Sequence, residues 1–240
     1  MTPDLAQIWV YLAREPLAAL TMTLLAWLAA QRVYTWTGRH PLANPVMLAV
    51  VFLSAVLLAG GIDYRRYFEG AQFVHFLLGP ATVALAVPLF RQWRRVRRAF
   101  PAIALSVTGG GLITAGVSVA VAAMLGAAPS VVGSLAPRAV TTPVAMGIAE
   151  RLGGLPSLTA ALVLMSGITG GVLGPLVLDL VRVRDPRARG LAMGTIAHGI
   201  GTARALSEGP VAGAFSGLAM GLNALVSAVA LPALWRLVFG

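Results

Sequence analysis

The chain has 240 residues, of which 58% are hydrophobic and 11% are charged, and its mean hydropathy is +0.84. All 18 basic residues are arginines, and they lie in short runs between apolar segments, which is typical of the cytoplasmic loops of a membrane protein and argues against a nucleic-acid-binding surface. No cysteine is present, so disulfides, thiolate nucleophiles and thiolate metal sites are excluded.

Apolar segments follow one another along the whole chain, and several have the roughly 17 to 25 residues that a helix needs to cross a bilayer. They lie at about 16–34, 43–60, 71–90, 101–125, 130–151, 156–181, 188–207 and 211–238. No soluble domain fits between them, and we expect no cleavable signal peptide. The pattern predicts a multi-pass, all-α integral membrane protein.

Two arginine-rich runs set the expected orientation. The run RQWRRVRR occupies 91–98 and RVRDPRAR occupies 182–189, so both are expected in the cytoplasm. The loops at 61–70 and 206–211 lack a positive excess and are expected outside. Following the chain between these loops predicts an outside N-terminus, about seven transmembrane helices and a re-entrant hairpin at 130–151. The alternative that 16–34 also re-enters stays open.

Prolines support the hairpin. Pro137 and Pro143 flank the stretch RAVTT and divide the segment into two short half-helices, because proline lacks the N–H group and clashes with the preceding turn. Non-helical backbone at membrane depth is stable only where protein buries it or water reaches it. We therefore expect the hairpin turn to lie beside a cavity.

The segments also predict an internal repeat of about 43–125 and 156–238 within one membrane domain that covers 1–240. Each stretch consists of a span, a polar loop, a short interrupted segment, a second loop and a long span. Each crosses the membrane an odd number of times, so the two have opposite orientations. Inverted repeats with interrupted helices are typical of secondary transporters.

The hairpin turn carries a candidate anion site. The Arg138 guanidinium can hold a carboxylate through two parallel N–H bonds, and Thr141 and Thr142 add hydroxyls at the positive end of the second half-helix. The alternative is an arginine that extends to the outer headgroups beside threonines that cap a helix.

A second polar stretch, GTIAHGIGTAR at 194–204, places Thr195, His198, Thr202 and Arg204 in an apolar segment. Ionisable groups at membrane depth are costly and normally face a substrate pathway or a partner. The alternative is a glycine packing seam with an incidental histidine. Asn223, deep in the last segment, either bonds across helices or reaches the cavity. All these side chains are candidate substrate-binding residues.

Enzyme signatures are absent from the sequence, which has no HExxH motif, no GxSxG motif and no pair of intramembrane aspartates. We therefore expect no catalytic residues, no metal site and no cofactor.

Three motifs resemble the LrgB/CidB family: RAVTTP at 138–143, GTIAHGIGTAR at 194–204 and AFSGLA at 214–219. They are similar to the family patterns Lys/Arg-Ser-Val-Thr-Thr-Pro, Gly-Thr-x-Ser-His-x-x-Gly-Thr-Ala-Arg and Ala-Phe-Ser-Ser-Leu-Ala. Ala139 and Ala197 stand where the family usually has serine, so no role for those hydroxyls carries over.

The resemblance implies two competing functions. Plant plastid relatives are glycolate/glycerate translocators, and some bacterial relatives look like pyruvate carriers, whereas other bacterial members are antiholin-like modulators of murein hydrolase export and cell lysis. We expect a bacterial inner-membrane transporter of small 2-hydroxy or 2-keto monocarboxylates that works by alternating access, with the lysis modulator as the alternative. The implied partners are the carboxylate substrate, membrane lipid and a small LrgA/CidA-type membrane protein. A homo-oligomer is a further alternative, and no nucleic acid is expected.

Overall fold

The computed structural model describes residues 16–38, 40, 43–77, 80, 83–84 and 86–239, and it contains helices but no strand within them. The chain divides into two units, Met1–Ala84 and Leu85–Gly240. Four helices of the described part are long and apolar enough to cross a membrane: Leu17–Trp36, Val96–Met124, Pro156–Leu180 and Pro210–Phe239. The expected all-α class is confirmed, and the number of crossings stays a prediction.

The first unit contains α1 (Pro16–Trp36), α2 (Pro45–Ala59) and α3 (Tyr64–Phe76). Helix α2 begins where expected, because the Asn44 side chain accepts hydrogen bonds from the backbone N–H groups of Val46 and Met47 and Pro45 occupies the first turn. Helix α1 is continuous, which favours a crossing over the re-entrant alternative for 16–34.

The expected loop at 61–70 is wrong over residues 64–70, because α3 begins at Tyr64. The Asp63 carboxylate accepts hydrogen bonds from the backbone N–H groups of Arg65 and Arg66 and so caps the helix. Tyr67 and Ala71, four residues apart, are buried on one face of this polar helix. The predicted apolar segment 71–90 lies partly outside the described residues.

The second unit contains seven helices within the described residues. They are α4 (Ala86–Arg91), α5 (Trp93–Met124), α6 (Pro129–Leu135), α7 (Thr142–Arg151), α8 (Pro156–Leu180), α9 (Pro186–Glu208) and α10 (Pro210–Phe239). Helices α5 and α10 run in the same direction, since Val96 and Val107 of α5 pack in one cluster with Phe215 and Ala219 of α10. Leu191 joins this cluster, so the basic runs 91–98 and 182–189 lie at the same end of the unit.

Helices α6 and α7 form the first hairpin, which we define as residues 129–151, and its two short helices match the division that the prolines predict. The chain doubles back at residues 136–141, because a Cβ built on Gly133 would lie 2.8 Å from the carbonyl oxygen of Leu152. The open end is fixed to the start of α8 by Ser134, whose Oγ accepts a hydrogen bond from the Leu155 N–H at 2.8 Å.

Helix α9 also doubles back, and it forms the second hairpin, defined as residues 186–208. Its backbone is broken at His198, with φ 41° and ψ −128°. Arg189 in the first arm and Glu208 at the end of the second form an ion pair, with Nε and Oε2 2.9 Å apart. A straight helix would separate residues so placed by about 28 Å. Met193 and Ala205 pack in one cluster for the same reason.

This hairpin corrects two expectations from the sequence. Segment 188–207 does not run through the unit as one straight helix, and the loops at 182–189 and 206–211 lie at the same end rather than on opposite sides. The physical cause is a helix break at a residue that is neither glycine nor proline, which no local sequence rule indicates.

The two hairpins enter the second unit from opposite ends of α8. The start of α8 contacts the first hairpin, where the Thr159 hydroxyl donates to the carbonyl of Ser134, and its last turn contacts the second, where Asp179 pairs with Arg189. A long helix followed by a helical hairpin therefore occurs twice, as α5 with the first hairpin and α8 with the second. The predicted pairing of 43–125 with 156–238 requires α5 and α10 to run in opposite directions, but they run in the same direction because 186–208 turns back as a hairpin instead of crossing. The opposite orientation expected for these two helices is therefore wrong, and the pairing of the segments stays a prediction.

Candidate functional site

Arg138 lies in the turn of the first hairpin, where two hydroxyl groups orient its guanidinium. Nε donates to Ser118 Oγ of α5 and Nη1 donates to Ser166 Oγ of α8, both at 2.8 Å. The residue is half-buried. Within the described residues no carboxylate lies at ion-pair distance from it. The remaining N–H groups of the guanidinium are suited to bind an anion.

Thr141 and Thr142 stand at the start of α7, three and four residues after Arg138. Both are half-buried, and the Thr141 side chain makes no capping hydrogen bond. The observed geometry therefore does not support the alternative in which Thr141 caps the helix. The first turn of α7 has backbone N–H groups without helical partners, and the positive end of the helix dipole lies there.

His198 forms the turn of the second hairpin. Its Nε2 lies 3.0 Å from the carbonyl oxygen of Val163 in α8. A carbonyl only accepts, so Nε2 carries the proton of this hydrogen bond and Nδ1 is the other polar atom of the ring. The backbone angles are those of the first central residue of a type II′ turn, where glycine is usual, so His198 is strained.

Gly167 provides the space for this imidazole. A Cβ built on Gly167 would lie 2.7 Å from His198 Cε1 and 2.8 Å from Nε2. Ser166, the neighbouring residue, binds Arg138. Residues 163–167 of α8, little more than one helical turn, thus contact the turns of both hairpins.

Asn223 of α10 joins the two turns directly. Its Nδ2 donates to the carbonyl of Ala139 in the first turn at 3.3 Å and to the carbonyl of Thr195 in the second hairpin at 3.0 Å. The residue is 1% exposed. Both N–H groups of the amide are therefore occupied by backbone carbonyls, and this arrangement matches the predicted bond across helices rather than contact with a cavity.

Thr195 and Thr202 are buried inside the second hairpin. The Thr195 hydroxyl donates to the carbonyl of Leu191, and the Thr202 hydroxyl donates to the carbonyl of His198 at 2.9 Å. Thr202 also shares a hydrogen bond with Ser216 Oγ of α10 at 3.0 Å. The two carbonyl bonds are local to one arm each, and the Ser216 bond joins the hairpin to α10.

Arg204 is not brought to the turns. Its Nη1 donates to Ser207 Oγ at 2.8 Å and its Nη2 lies 3.6 Å from Glu208 Oε1. Glu208 also binds Arg189, which in turn binds Asp179. Arg204 therefore belongs to an ion-pair network at the open end of the second hairpin.

Several site residues escaped the sequence analysis. The hydroxyls that orient Arg138 and Thr202 belong to serines at 118, 166 and 216, and each of these shares its helix with at least one other serine or threonine. A hydroxyl in a membrane-length helix is a sequence signal that does not identify its partner. Within the described residues, no three His, Asp or Glu side chains are grouped so that they could hold a metal ion.

Comparison with known proteins places the chain in a family. The model of the LrgB-like family matches residues 23–237. The chain is 34% identical to the Bacillus subtilis protein YwbG over 216 residues, which cover 90% of this chain and 96% of that protein. It is 30% identical to the holin-like protein CidB of Staphylococcus epidermidis over 195 residues, 81% of this chain and 85% of that protein.

A third relative is the antiholin-like protein LrgB of Bacillus subtilis, 28% identical over 226 residues that cover 94% of this chain and 98% of that protein. No solved structure matches the chain. The apolar helices and these relatives agree on a multi-pass membrane protein. The family model matches most of the length, including both hairpins, and the chain belongs to the LrgB-like family.

Proposed function

We propose that this chain is a secondary transporter of small 2-hydroxy or 2-keto monocarboxylates. The observation that carries the proposal is Arg138, a half-buried guanidinium that two serines orient at a break between helices, with no carboxylate partner among the described residues. A charge in the membrane-embedded part of a protein normally serves a pathway or a partner. The substrate carboxylate is the partner that we assign.

The hairpins supply the transport mechanism in this proposal. They enter from opposite ends of α8 and their turns meet at Asn223, so a substrate held between the turns is separated from each end of the unit by one hairpin. Discontinuous helices whose positive ends face an anionic group are a common feature of transporter binding sites. Alternating movement of the hairpins against α5, α8 and α10 would then expose the site to one end at a time.

The proposal assigns direct contact with the carboxylate to Arg138, Thr141 and Thr142. His198 Nδ1 is assigned to the substrate 2-oxygen, because Nε2 is already bound to Val163. We assign Thr195, Thr202 and Arg204 to the internal structure of the second hairpin, since their side chains bind groups of that hairpin. Transport of this kind involves no covalent step.

The test is uptake of labelled glycolate, glycerate and pyruvate into proteoliposomes. Arg138→Gln should weaken apparent affinity by roughly tenfold to over a hundredfold, because a hydrogen bond to a charged group contributes about 1.5 to 3 kcal/mol. Arg138→Lys should retain part of the affinity, because a point charge still attracts an anion. The matched control is Arg151→Gln, an exposed arginine at the open end of the same hairpin. Unchanged apparent affinity in Arg138→Gln would contradict the proposed site.

A second candidate is an antiholin-like modulator of murein hydrolase export and cell lysis, in the bacterial inner membrane. The names of two relatives, holin-like protein CidB and antiholin-like protein LrgB, favour this candidate over the transporter. A lysis modulator or pore needs no stereospecific site, so uptake should neither saturate nor be competed. The uptake measurement should be repeated with a small LrgA/CidA-type membrane protein, and in both monomeric and oligomeric preparations of this chain. Both candidate functions allow either partner, so each must be supplied before absence of uptake is interpreted.

A further inference from the structure

Two backbone carbonyls at helix breaks share one side-chain amide. Thr195 lies three residues before the break at His198, so its carbonyl lacks the N–H donor that a continuing helix would provide four residues later. Ala139 lies in the turn between α6 and α7. The Asn223 amide donates to both carbonyls, at 3.0 and 3.3 Å, and so replaces two missing backbone donors from two different hairpins.

The surroundings of Asn223 fix the orientation of this amide. Because both carbonyls accept, the NH₂ group faces the turns and Oδ1 faces away, toward Ser227 Oγ at 3.4 Å. Gly111 of α5 lies against Oδ1 so closely that a Cβ at this position would overlap the oxygen. Asn223 is 1% exposed, so solvent water does not reach the amide in this structure.

We propose that Asn223 is a latch between the two hairpin turns, a role that rests on the proposed transport function. Neither turn separates from α10 without breaking one of the two bonds and leaving a buried carbonyl unpaired, which disfavours simultaneous opening at both ends. Asn223 is thus a positioning residue. Its N–H groups act on the hairpins rather than on the substrate.

The test exploits the absence of cysteine from the sequence. Single cysteines are introduced at the buried positions Ala139 and Thr195, one in each hairpin, and at exposed Gly199 as a reference. The rate of labelling by N-ethylmaleimide, measured without substrate in purified protein, reports how often each turn opens. Absence of transport activity would not affect this readout, so failure of the latch is distinguishable from failure of the proposed function.

Three changes disturb the latch in different ways. Asn223→Ala removes the amide, Asn223→Asp keeps its size but lacks the N–H donors, and Gly111→Ala displaces it without changing its chemistry. Each should accelerate labelling at 139 and 195 by about tenfold or more, the fold-change expected when a buried polar group loses its partner. The matched control is Gly109→Ala on the same helix, because a Cβ there meets nothing within 4 Å. Labelling in this control and at Gly199→Cys in every background should keep the parent rate.

Parent labelling rates at both turns in folded Asn223→Ala protein would overturn the proposal, as would equal acceleration by Gly109→Ala and Gly111→Ala. If Asn223→Ala does not fold, the comparison of the two glycine variants decides. Should Asn223 instead bind substrate directly, Asn223→Ala would raise the apparent KM without accelerating labelling, which also refutes the latch.

Discussion

Gly167→Ala tests the packing of the second hairpin turn on α8. The added Cβ would lie 2.7 Å from His198 Cε1 and 2.8 Å from Ile200 Cδ1, closer than real Cβ contacts occur. The imidazole cannot withdraw freely, because Nε2 is bonded to the Val163 carbonyl and the residue is 6% exposed. The substitution should therefore displace the ring and break this hydrogen bond.

The size of the effect follows from three terms. Overpacking of a well-packed interior costs about 1 to 3 kcal/mol, and the lost hydrogen bond costs about 0.5 to 1.5 kcal/mol. Replacing glycine by alanine within a helix returns about 1 kcal/mol. The free energy of unfolding should therefore fall by about 0.5 to 3.5 kcal/mol. Gly116→Ala is the control, because a Cβ there meets nothing within 4 Å and only the helix-propensity gain applies.

The assay is reversible unfolding in mixed micelles of the single variants Gly167→Ala and His198→Ala and of the double variant. Because the ring is the group that the new methyl strikes, its removal should cancel most of the packing cost, and the double variant should be markedly more stable than the sum of the single effects indicates. Additive effects would show that the methyl does not contact the imidazole. The geometry of the turn described above would then be refuted.

Two further predictions concern the open end of the second hairpin. Glu208→Gln should lower the free energy of unfolding by about 1 to 3 kcal/mol, because the side chains of Glu208 and Arg189 are only 17% and 13% exposed. Asp179→Asn removes a 67% exposed partner of the same arginine and should cost under about 1 kcal/mol. Equal losses in micelle unfolding would contradict this ranking. Arg187 donates to the Asp185 carboxylate and, with the cap of the first turn of α9, lowers the pKa of that carboxyl from 3.8 to about 2. Since the folded pKa is the lower one, the stabilisation is complete above about pH 4 and is lost as pH falls through about 2. Arg187→Gln should move the titration of the Asp185 carboxyl, followed by carbon NMR, back toward its ordinary value.

The first hairpin could be predicted because its cause is local. Pro137 and Pro143 restrict their own backbone and that of the residues before them, and this information lies entirely in the adjacent sequence. The start of α2 was predictable for a similar reason, since Pro45 favours a first helical turn. In both places a single rule of backbone chemistry determines where a helix begins or ends.

The second hairpin could not be predicted because its cause is distant. The break falls at His198, whose ring bonds to Val163, 35 residues earlier in the sequence. The arms are held together by Arg189 and Glu208, which are 19 residues apart. The charge rule predicts that the 206–211 loop lies outside, because this loop carries an acid and no arginine. In the structure Glu208 pairs with Arg189 of the other arm, so the loop lies at the end of the basic run 182–189. Helix α3 was not predicted because its sequence is rich in charged residues and it buries few side chains, among them Tyr67 and Ala71 on one face.

The backbone strain at His198 connects the unpredicted helix break to the proposed transport function. A histidine in a backbone conformation that glycine prefers persists only where surrounding contacts determine it, and here they are the Val163 carbonyl, the Gly167 surface and the Thr195 carbonyl held by Asn223. Glycine at this position would form the turn without strain but would lose the hydrogen bond to the Val163 carbonyl. In the proposed transporter, His198 Nδ1 and Arg138 of the first hairpin bind the substrate at this break. His198→Gly should preserve the hairpin and unfold no more easily than the parent, because relief of about 1 to 3 kcal/mol of backbone strain offsets the lost hydrogen bond of about 0.5 to 1.5 kcal/mol. It should impair uptake as severely as His198→Ala, and full uptake by the glycine variant would remove His198 from the proposed site.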